Sequence, residues 1–171
     1  MEISAAQWKR IRELFGDASH ISASMGRSVP YCTLATVNEN GSPHVMPISS
    51  LILGENKKGF YFEEFSVNTT QNLGRDHRVC VLVVNNSISF WIKSLLFGRL
   101  ASPPAIRLRG TVGERREAYP HEIEAFRKSI LRLRVFRGYK PLWGMMKHGR
   151  EVYFDSFEPV NCGPMKQLDF I

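Results

Sequence analysis

The sequence is poor in cysteine and has no apolar run long enough to cross a membrane. Its 171 residues include three cysteines, Cys32, Cys80 and Cys162, with no Cys-x-x-Cys pair. A disulfide framework needs an even set in a short secreted chain, so we expect reduced thiols in the cytoplasm. The longest apolar run, residues 79–84, has the length of a strand and is far shorter than the roughly 18 residues of a membrane-spanning helix. We therefore expect a soluble protein with no membrane partner.

The familiar nucleotide-binding and catalytic motifs are also missing. The sequence has no G-x-G-x-x-G, no G-x-x-x-x-G-K-[ST] and no G-x-S-x-G. Its five histidines are scattered, and no two are spaced four apart as metal-binding pairs on a helix are. Glu63 and Glu64 are adjacent at a strand end, where neighbouring residues face opposite sides and do not share a proton. The sequence thus identifies neither a metal site nor a catalytic residue.

Charge and hydrophobicity describe one basic globular domain. Lys and Arg number 23 against 16 Asp and Glu, which gives a formal net charge of +7, and 43% of the residues are hydrophobic. That hydrophobic fraction is enough to form a core, which excludes a wholly disordered chain. The length fits a single domain over residues 1–171.

Residue patterns at the start of the chain predict a helix and then a hairpin. Ser4 and Gln7 have the spacing of a capping box, and the apolar residues that follow share one helical face, which predicts a helix over about Ala5–Phe15. Strand-like runs at residues 31–37 and 44–53 flank an Asn-Gly turn and predict a hairpin. Pro47 cannot donate to a ladder, so its strand should lie at a sheet edge or contain a bulge.

The rest of the chain has the pattern of a mainly β protein with helices. Further strands are predicted at residues 60–62, 78–84, 106–117 and 151–154, with a loop at 19–28 and a tail from 158. Helical insertions are predicted at about 88–98, where an apolar loop is the alternative, and at about 121–147. Five or six short strands without regular βαβ alternation indicate a Greek-key barrel decorated with helices.

Residues 66–70 are a candidate anion site. They offer polar side chains and free backbone N–H groups at a predicted helix start, where the partial positive charge suits a phosphate. An ordinary Asn/Thr helix cap is the alternative, and taken alone the pattern favours the cap.

Three segments resemble the flavin-binding split-barrel superfamily related to pyridoxamine 5′-phosphate oxidase. The run L-A-T-V-N-E-N-G-S-P-H-V, at residues 34–45, is similar to the family's first hairpin. The run N-T-T-Q-N-L-G-R-D-H-R-V, at residues 68–79, is similar to its phosphate loop with the helix and strand that follow. Residues 107–118, R-L-R-G-T-V-G-E-R-R-E-A, resemble its later barrel strand.

The resemblance implies a six-stranded Greek-key split barrel that forms a homodimer with FMN at the subunit interface. Residues 46–50 would run beside the isoalloxazine ring, residues 62–65 would continue that wall, and residues 66, 68 and 69 would hold the phosphate. The cofactor-binding residues that it implies are Met46, Pro47, Ile48, Ser49, Phe62, Glu63, Glu64, Ser66, Val67, Asn68 and Thr69.

The resemblance further implies an FMN-dependent oxidoreductase that acts on a small-molecule substrate or electron donor of unidentified structure. The flavin would carry the redox chemistry, so no catalytic side chain is assigned. Asn68 stands where many relatives have Lys or Arg, and Arg75, Arg78 or a basic residue of the partner subunit are candidates to supply that charge. A non-catalytic flavin or haem binding protein is the alternative function, and haem or a deazaflavin is the alternative ligand.

A basic stretch raises one alternative from a different class. Residues 126–140 contain six Lys or Arg and no acid, and a helix with that charge could bind nucleic acid. The same predicted helix carries an apolar stripe, so a solvated face of a packed helix is the preferred interpretation.

Overall fold

A computed structural model describes residues 2–15, 27–29, 32–64, 66–85, 87–130, 135, 137–161, 163 and 166–167. The helices are α1 (Ala5–Phe15), α2 (Val67–Arg75), α3 (Ile88–Phe97), α4 (Pro120–Ser129) and α5 (Tyr139–Trp143). The strands are β1 (Arg27–Val29), β2 (Cys32–Val37), β3 (Pro43–Ile48), β4 (Leu51–Leu53), β5 (Lys58–Phe62), β6 (Arg78–Val84), β7 (Arg99–Leu100), β8 (Ala105–Val112), β9 (Arg116–Glu117), β10 (His148–Val160) and β11 (Lys166–Gln167). Most of the predicted 19–28 loop, Tyr31, Phe65 and Cys162 lie outside the described residues.

Nine of the strands in the described residues form an antiparallel sheet that curls into a half-barrel, as the sequence predicts, while β7 and β11 form a separate parallel pair. The order of the half-barrel sheet is β1-β4-β5-β10-β8-β6-β2-β3, with β9 paired to β10, and six of these strands have five residues or more. Only Ser49 and Ser50 separate β3, at one end of this order, from β4, near the other. Because the three Cα–Cα steps from Ile48 to Leu51 span at most about 11 Å, the two ends of the sheet must come together. The fold is therefore that of a split barrel.

The junction between β3 and β4 explains the irregular strand around Pro47. β3 pairs only with β2 among the described strands, and its register from Pro43 to Ile48 is unbroken, so Pro47 lies in an edge strand and not at a bulge. At the corner, the Ser50 hydroxyl accepts a hydrogen bond from the Phe62 amide at 3.1 Å. This side-chain bond ties the corner to the end of β5 where the strand ladder is interrupted.

The barrel interior is apolar and is covered at one side by α1. Its buried residues include Leu34, Val81, Leu108 and Val152, and Trp8 of α1 packs among them. The Ser4 hydroxyl accepts from the Gln7 amide and the Gln7 side chain accepts from the Ser4 amide, which confirms the capping box. Burial raises the pKa of the Cys32 thiol to about 12, so this cysteine behaves as a small hydrophobic residue.

A second apolar cluster lies on the outer side of β5. Phe60 and Phe62 pack there against Phe126 of α4, and the Phe62 and Phe126 ring centroids are 5.0 Å apart. Trp143 of α5 packs on the same cluster. This cluster holds α4 and α5 beside the end of β5.

The structure corrects three predictions. The basic stretch is not one helix over residues 126–140, because α4 ends at Ser129 and Ile130 leaves the helical region at φ −110° and ψ 14°. Residues 131–134 and 136 lie outside the described residues, and helix resumes only at Tyr139. β10 runs on to Val160, so residues 158–160 are strand and not tail, and β1 begins within the stretch predicted as a loop. Within the described part of the chain, no helix is long and apolar enough to cross a membrane.

Candidate functional site

A pocket of about 230 Å³ lies at the split of the barrel. It is bounded by β3, the Ser49–Ser50 corner, the end of β5, the residue before α2, and α5 with the residues after it. Eight of the eleven residues predicted to bind the cofactor line this pocket: Met46, Pro47, Ile48, Ser49, Phe62, Glu63, Glu64 and Ser66. The remaining lining residues are Ser50, Tyr61, Trp143 and Met146.

The walls of the pocket are largely apolar and come from distant parts of the sequence. Met46 and Pro47 lie on one side, in β3, while Trp143 and Met146 are contributed by α5 and the residues after it. Trp143 and Met146 are not among the site residues that the sequence predicts. The signal in the sequence was an aromatic residue, Trp143, followed closely by two methionines, Met145 and Met146. In other proteins such a set usually belongs to the ordinary hydrophobic core.

Glu63 reaches a buried ion pair beneath the pocket. Its Oε2 accepts a hydrogen bond from Nε of Arg150 at 2.7 Å, and the two side chains are 1% and 4% exposed. Arg150 also donates to the Gly113 carbonyl at 3.0 Å, and the Arg115 guanidinium lies 3.8 Å from Glu63. The carboxylate is therefore neutralised, and it adds no net negative charge to the pocket.

Glu64 fastens the α5 side of the pocket to the β5 side. Its Oε1 accepts hydrogen bonds from the backbone N–H groups of Lys147 and His148, the residues that follow Met146. Partial burial raises the pKa of this carboxyl, but the two amides and the His148 charge outweigh that effect, so its pKa lies below the ordinary 4.5. At neutral pH the ionised carboxylate thus holds the segment that carries Trp143 and Met146.

The start of α2 adjoins the pocket, but two predicted phosphate ligands use their hydroxyls within the chain. Ser66 caps α2 by accepting from the Thr69 amide at 3.3 Å and donates to Thr69 Oγ1 at 2.6 Å. Thr69 is fully buried and donates in turn to Met46 Sδ at 2.8 Å. Val67 and Asn68 are exposed, and their backbone N–H groups are in the first turn of α2, where no helical carbonyl precedes them.

Neither arginine proposed to supply the phosphate charge lies at this end of α2. Arg75 ends the helix, about 12 Å from its start at 1.5 Å per residue, and pairs with Glu39 at 3.1 Å. Arg78 lies in β6 and pairs with Asp76 at 2.6 Å. Those two predictions are wrong, and the described residues lining the pocket include no Lys or Arg.

Two polar atoms of pocket-lining residues are buried without a hydrogen bond of normal length among the described residues. They are the Tyr61 hydroxyl oxygen and Glu63 Oε1. Burial and the nearby Glu63 charge raise the pKa of Tyr61 above its ordinary 10, so the hydroxyl keeps its proton at neutral pH. The wall of the pocket therefore contains a neutral hydroxyl beside a carboxylate oxygen that retains an acceptor position.

A second pocket, of about 260 Å³, lies between α4 and β5. Glu122 and Glu151 line it, and Arg116 pairs with both carboxylates at 2.7 and 3.0 Å. It contains none of the predicted site residues. The part of the chain that the structure describes has no cluster of three His, Cys, Asp or Glu side chains that could hold a metal ion.

The sequence model of a family described as pyridoxamine 5′-phosphate oxidase matches residues 24–135. A search of curated proteins finds no match.

Several solved structures share the fold at low sequence identity. An FMN-binding protein from Syntrophomonas wolfei subsp. wolfei is 18% identical, with a TM-score of 0.56 over 92% of this chain and 88% of that one. HupZ of Group A Streptococcus is 18% identical, with a TM-score of 0.53 over 91% of this chain and 98% of its own. An F420 reductase is 17% identical, with a TM-score of 0.50 over 83% and 98%. At such identities the likeness concerns the fold alone.

Proposed function

This chain belongs to the pyridoxamine 5′-phosphate oxidase family, and from that premise we propose that it is a homodimeric flavoprotein that binds FMN in the pocket at the split of the barrel and acts as an oxidoreductase. The observation that carries the proposal is the convergence of residues 46–49, 62–64 and 66 on one pocket. These positions were assigned to the flavin on the resemblance alone, and the fold brings them together.

The pocket suits the isoalloxazine ring. A planar ring system needs flat apolar walls and a few polar groups at its edge. Met46, Pro47, Phe62 and Trp143 supply the walls. Ser49, at the corner where the ladder is interrupted, supplies a hydroxyl at the edge.

A single chain offers fewer binding groups for the FMN phosphate than for the ring. The first turn of α2 offers N–H groups of Val67 and Asn68 and the positive end of the helix dipole. Ser66 and Thr69 already use their hydroxyls, and the described lining holds no cation. We therefore propose that the ring contributes most of the affinity, while the phosphate contributes through neutral donors.

The pocket volume supports a site completed by a second subunit. Ligand pockets usually occupy about 300–1,000 Å³, and this one measures about 230 Å³. We propose that one chain encloses the ring and leaves the ribityl phosphate at the surface beside α2.

When bound, FMN supplies the redox chemistry. This chain's own residues orient the ring and exclude water from it. Trp143 and Met146 cover one side, held there by Glu64. The Glu63–Arg150 pair keeps the floor of the pocket electrically neutral, so an anionic cofactor is not repelled.

The test is an absorption spectrum of the purified protein, mass analysis of any released ligand, and titration of the ligand-free protein with FMN. We expect flavin bands that NADH or NADPH bleaches, at one flavin per chain. Ser49→Trp, which fills the pocket, should lower FMN affinity at least tenfold, while Gln71→Trp, on the exposed side of α2, should leave it unchanged. A Soret band identifies a haem protein instead, and a deazaflavin that binds more tightly than FMN reassigns the cofactor.

A further inference from the structure

Tyr61 and Glu63 project from one face of the strand that ends at the pocket. They are two residues apart, and successive side chains of an extended strand alternate between its faces. The ladder to β10 continues past the end of β5, because the Glu63 amide donates to the His148 carbonyl at 2.9 Å. Arg150 of β10, which pairs with Glu63, is the register partner of Tyr61. The three side chains therefore share one face of the sheet, and both Tyr61 and Glu63 line the pocket.

Glu63 keeps one oxygen for a further partner. Both cations face its Oε2 atom, since Arg150 Nε donates to it at 2.7 Å and Arg115 Nε lies 3.8 Å away. The other oxygen, Oε1, is buried and accepts no hydrogen bond among the described residues. A buried acceptor without a partner costs free energy, so such an atom in a folded protein usually has a specific reason to be there.

The Tyr61 hydroxyl is in the same condition. The tyrosine side chain packs in the barrel core and is 1% exposed, and its hydroxyl is buried without a hydrogen bond of ordinary geometry among the described residues. Burial, and then the nearby Glu63 charge, raise the pKa of Tyr61 above its ordinary 10, so the hydroxyl remains a donor at neutral pH. The floor of the pocket thus offers a donor and an acceptor from the same face of one strand.

We propose that Tyr61 and Glu63 recognise the imide edge of the flavin ring, with the Tyr61 hydroxyl donating to a ring carbonyl and Glu63 Oε1 accepting from the neighbouring ring N–H. The inference rests on the proposed flavin site and names the two residues that select the ring. Because Oε2 is already neutralised by Arg150, the acceptor acts as part of an ion pair and not as a free anion.

The pair favours one chemical class of ligand. The pyrimidine ring of a flavin carries an N–H between two carbonyls, and a deazaflavin has the same edge. Haem has no outward N–H on its ring, and its propionates would bring negative charge to the carboxylate. A site built to hydrogen-bond a given edge rejects a ligand that lacks it, because the buried polar groups then stay unpaired.

Tyr61→Phe tests the donor, since it removes the hydroxyl and nothing else. The ligand-free variant should unfold in urea at the wild-type midpoint, because no hydrogen bond within the chain is lost. Its riboflavin affinity should fall about fivefold, the worth of one hydrogen bond. Tyr153→Phe is the matched control: its hydroxyl donates to Glu151 at 2.7 Å, it is not among the residues lining the pocket, and its loss should leave riboflavin affinity unchanged.

Glu63→Gln tests the acceptor together with a ligand analogue. We expect the wild type to bind riboflavin at least tenfold more tightly than 3-methylriboflavin, in which a methyl group replaces the hydrogen of the ring N–H. In Glu63→Gln this preference should shrink at least threefold, because riboflavin loses its acceptor while the methylated ring had no N–H to donate. A purely structural role of Glu63 would lower both affinities equally and leave their ratio unchanged. If Glu63→Gln does not fold, Tyr61→Phe carries the test with the same two ligands.

The outcomes distinguish this inference from the proposed function. Unchanged riboflavin affinity in Tyr61→Phe, or an unchanged preference in Glu63→Gln, overturns the inference while the flavin site stands. A Tyr61→Phe protein that is less stable than the wild type without ligand shows that the hydroxyl is already bonded within the chain, and also overturns it. A wild type that binds haem in preference to FMN, or binds neither FMN nor riboflavin, refutes the flavin site and the inference with it.

Discussion

The buried ion pair between Glu63 and Arg150 allows a quantitative test of how the pocket floor is held. The two side chains are 1% and 4% exposed. Removal of Glu63 leaves Arg150 as an unpaired charge in the interior, and removal of Arg150 leaves Glu63 only the more distant Arg115, at 3.8 Å. Such a loss costs about 3–5 kcal/mol, a large part of the 5–15 kcal/mol typical of a folded domain. We therefore expect Glu63→Leu and Arg150→Met each to lower the free energy of unfolding by about 3–5 kcal/mol.

The double variant should be far more stable than the sum of the two changes. With both charges gone, the pair's desolvation cost also disappears, and the main loss is the Arg150 hydrogen bond to the Gly113 carbonyl. That bond is worth about 1 kcal/mol. We thus expect a loss of about 1–2 kcal/mol for the double variant, against about 6–10 kcal/mol if the effects were additive.

Urea unfolding followed by far-ultraviolet circular dichroism measures these differences. At a slope of about 2 kcal/mol per molar urea, each single variant should unfold about 2 M earlier than the wild type. Glu63→Gln, which keeps the shape and the acceptor oxygen, provides a milder single variant if the leucine protein does not fold. Additive losses in the cycle, or single losses below 1 kcal/mol, would refute the ion pair as the support of the pocket floor.

Three further changes test other parts of the site. Glu64→Gln should remove charge-assisted hydrogen bonds to the Lys147 and His148 amides and destabilise the protein by about 1–2 kcal/mol at pH 7. Because the pKa of Glu64 is lowered on folding, its contribution is present above the ordinary 4.5 and is lost as the pH falls below that value, so wild type and variant should converge in acid. Asn68→Lys should tighten FMN about fivefold, from a Coulomb gain of about 1 kcal/mol near the surface, and leave riboflavin unchanged. Gly110→Ala should cost about 3 kcal/mol, because its Cβ would collide with the Tyr153 carbonyl.

Each of these changes has its own control and its own contrary result. A Glu64→Gln protein that stays less stable than the wild type by the same amount at pH 3 argues against the lowered pKa. Gln71→Lys adds the same charge one turn further along α2. If both variants bind FMN equally more tightly than the wild type, the phosphate does not lie at the start of the helix. Gly74→Ala has open space around it and should stabilise α2 by about 0.5–1 kcal/mol; destabilisation there contradicts the described helix.

Local signals in the sequence predicted much of the fold. The Ser4–Gln7 capping box marks the start of α1, and the buried run at residues 78–84 coincides with β6. Pro47 correctly indicated an edge strand, because a residue without N–H is tolerated where no second neighbour needs its hydrogen bond. These features depend on neighbours within a few residues, which is why one sequence suffices to find them.

Features that depend on distant residues were missed. Arg150 meets Glu63 across 87 residues, and nothing near either position marks the pair. Trp143 and Met146 reach the pocket only because α4 and α5 pack on Phe62, a contact that no local pattern encodes. The same limit explains Arg75 and Arg78, since proximity along the chain to the predicted phosphate loop did not reveal that α2 carries them to its far end.

The most direct test of the central claim is a crystal structure of the protein with FMN. We predict that the isoalloxazine ring lies between Pro47 and Trp143, with the phosphate at the first turn of α2. Electron density for the ring at the other pocket, between α4 and β5, or at a site remote from Met46 and Ser49, would contradict the account.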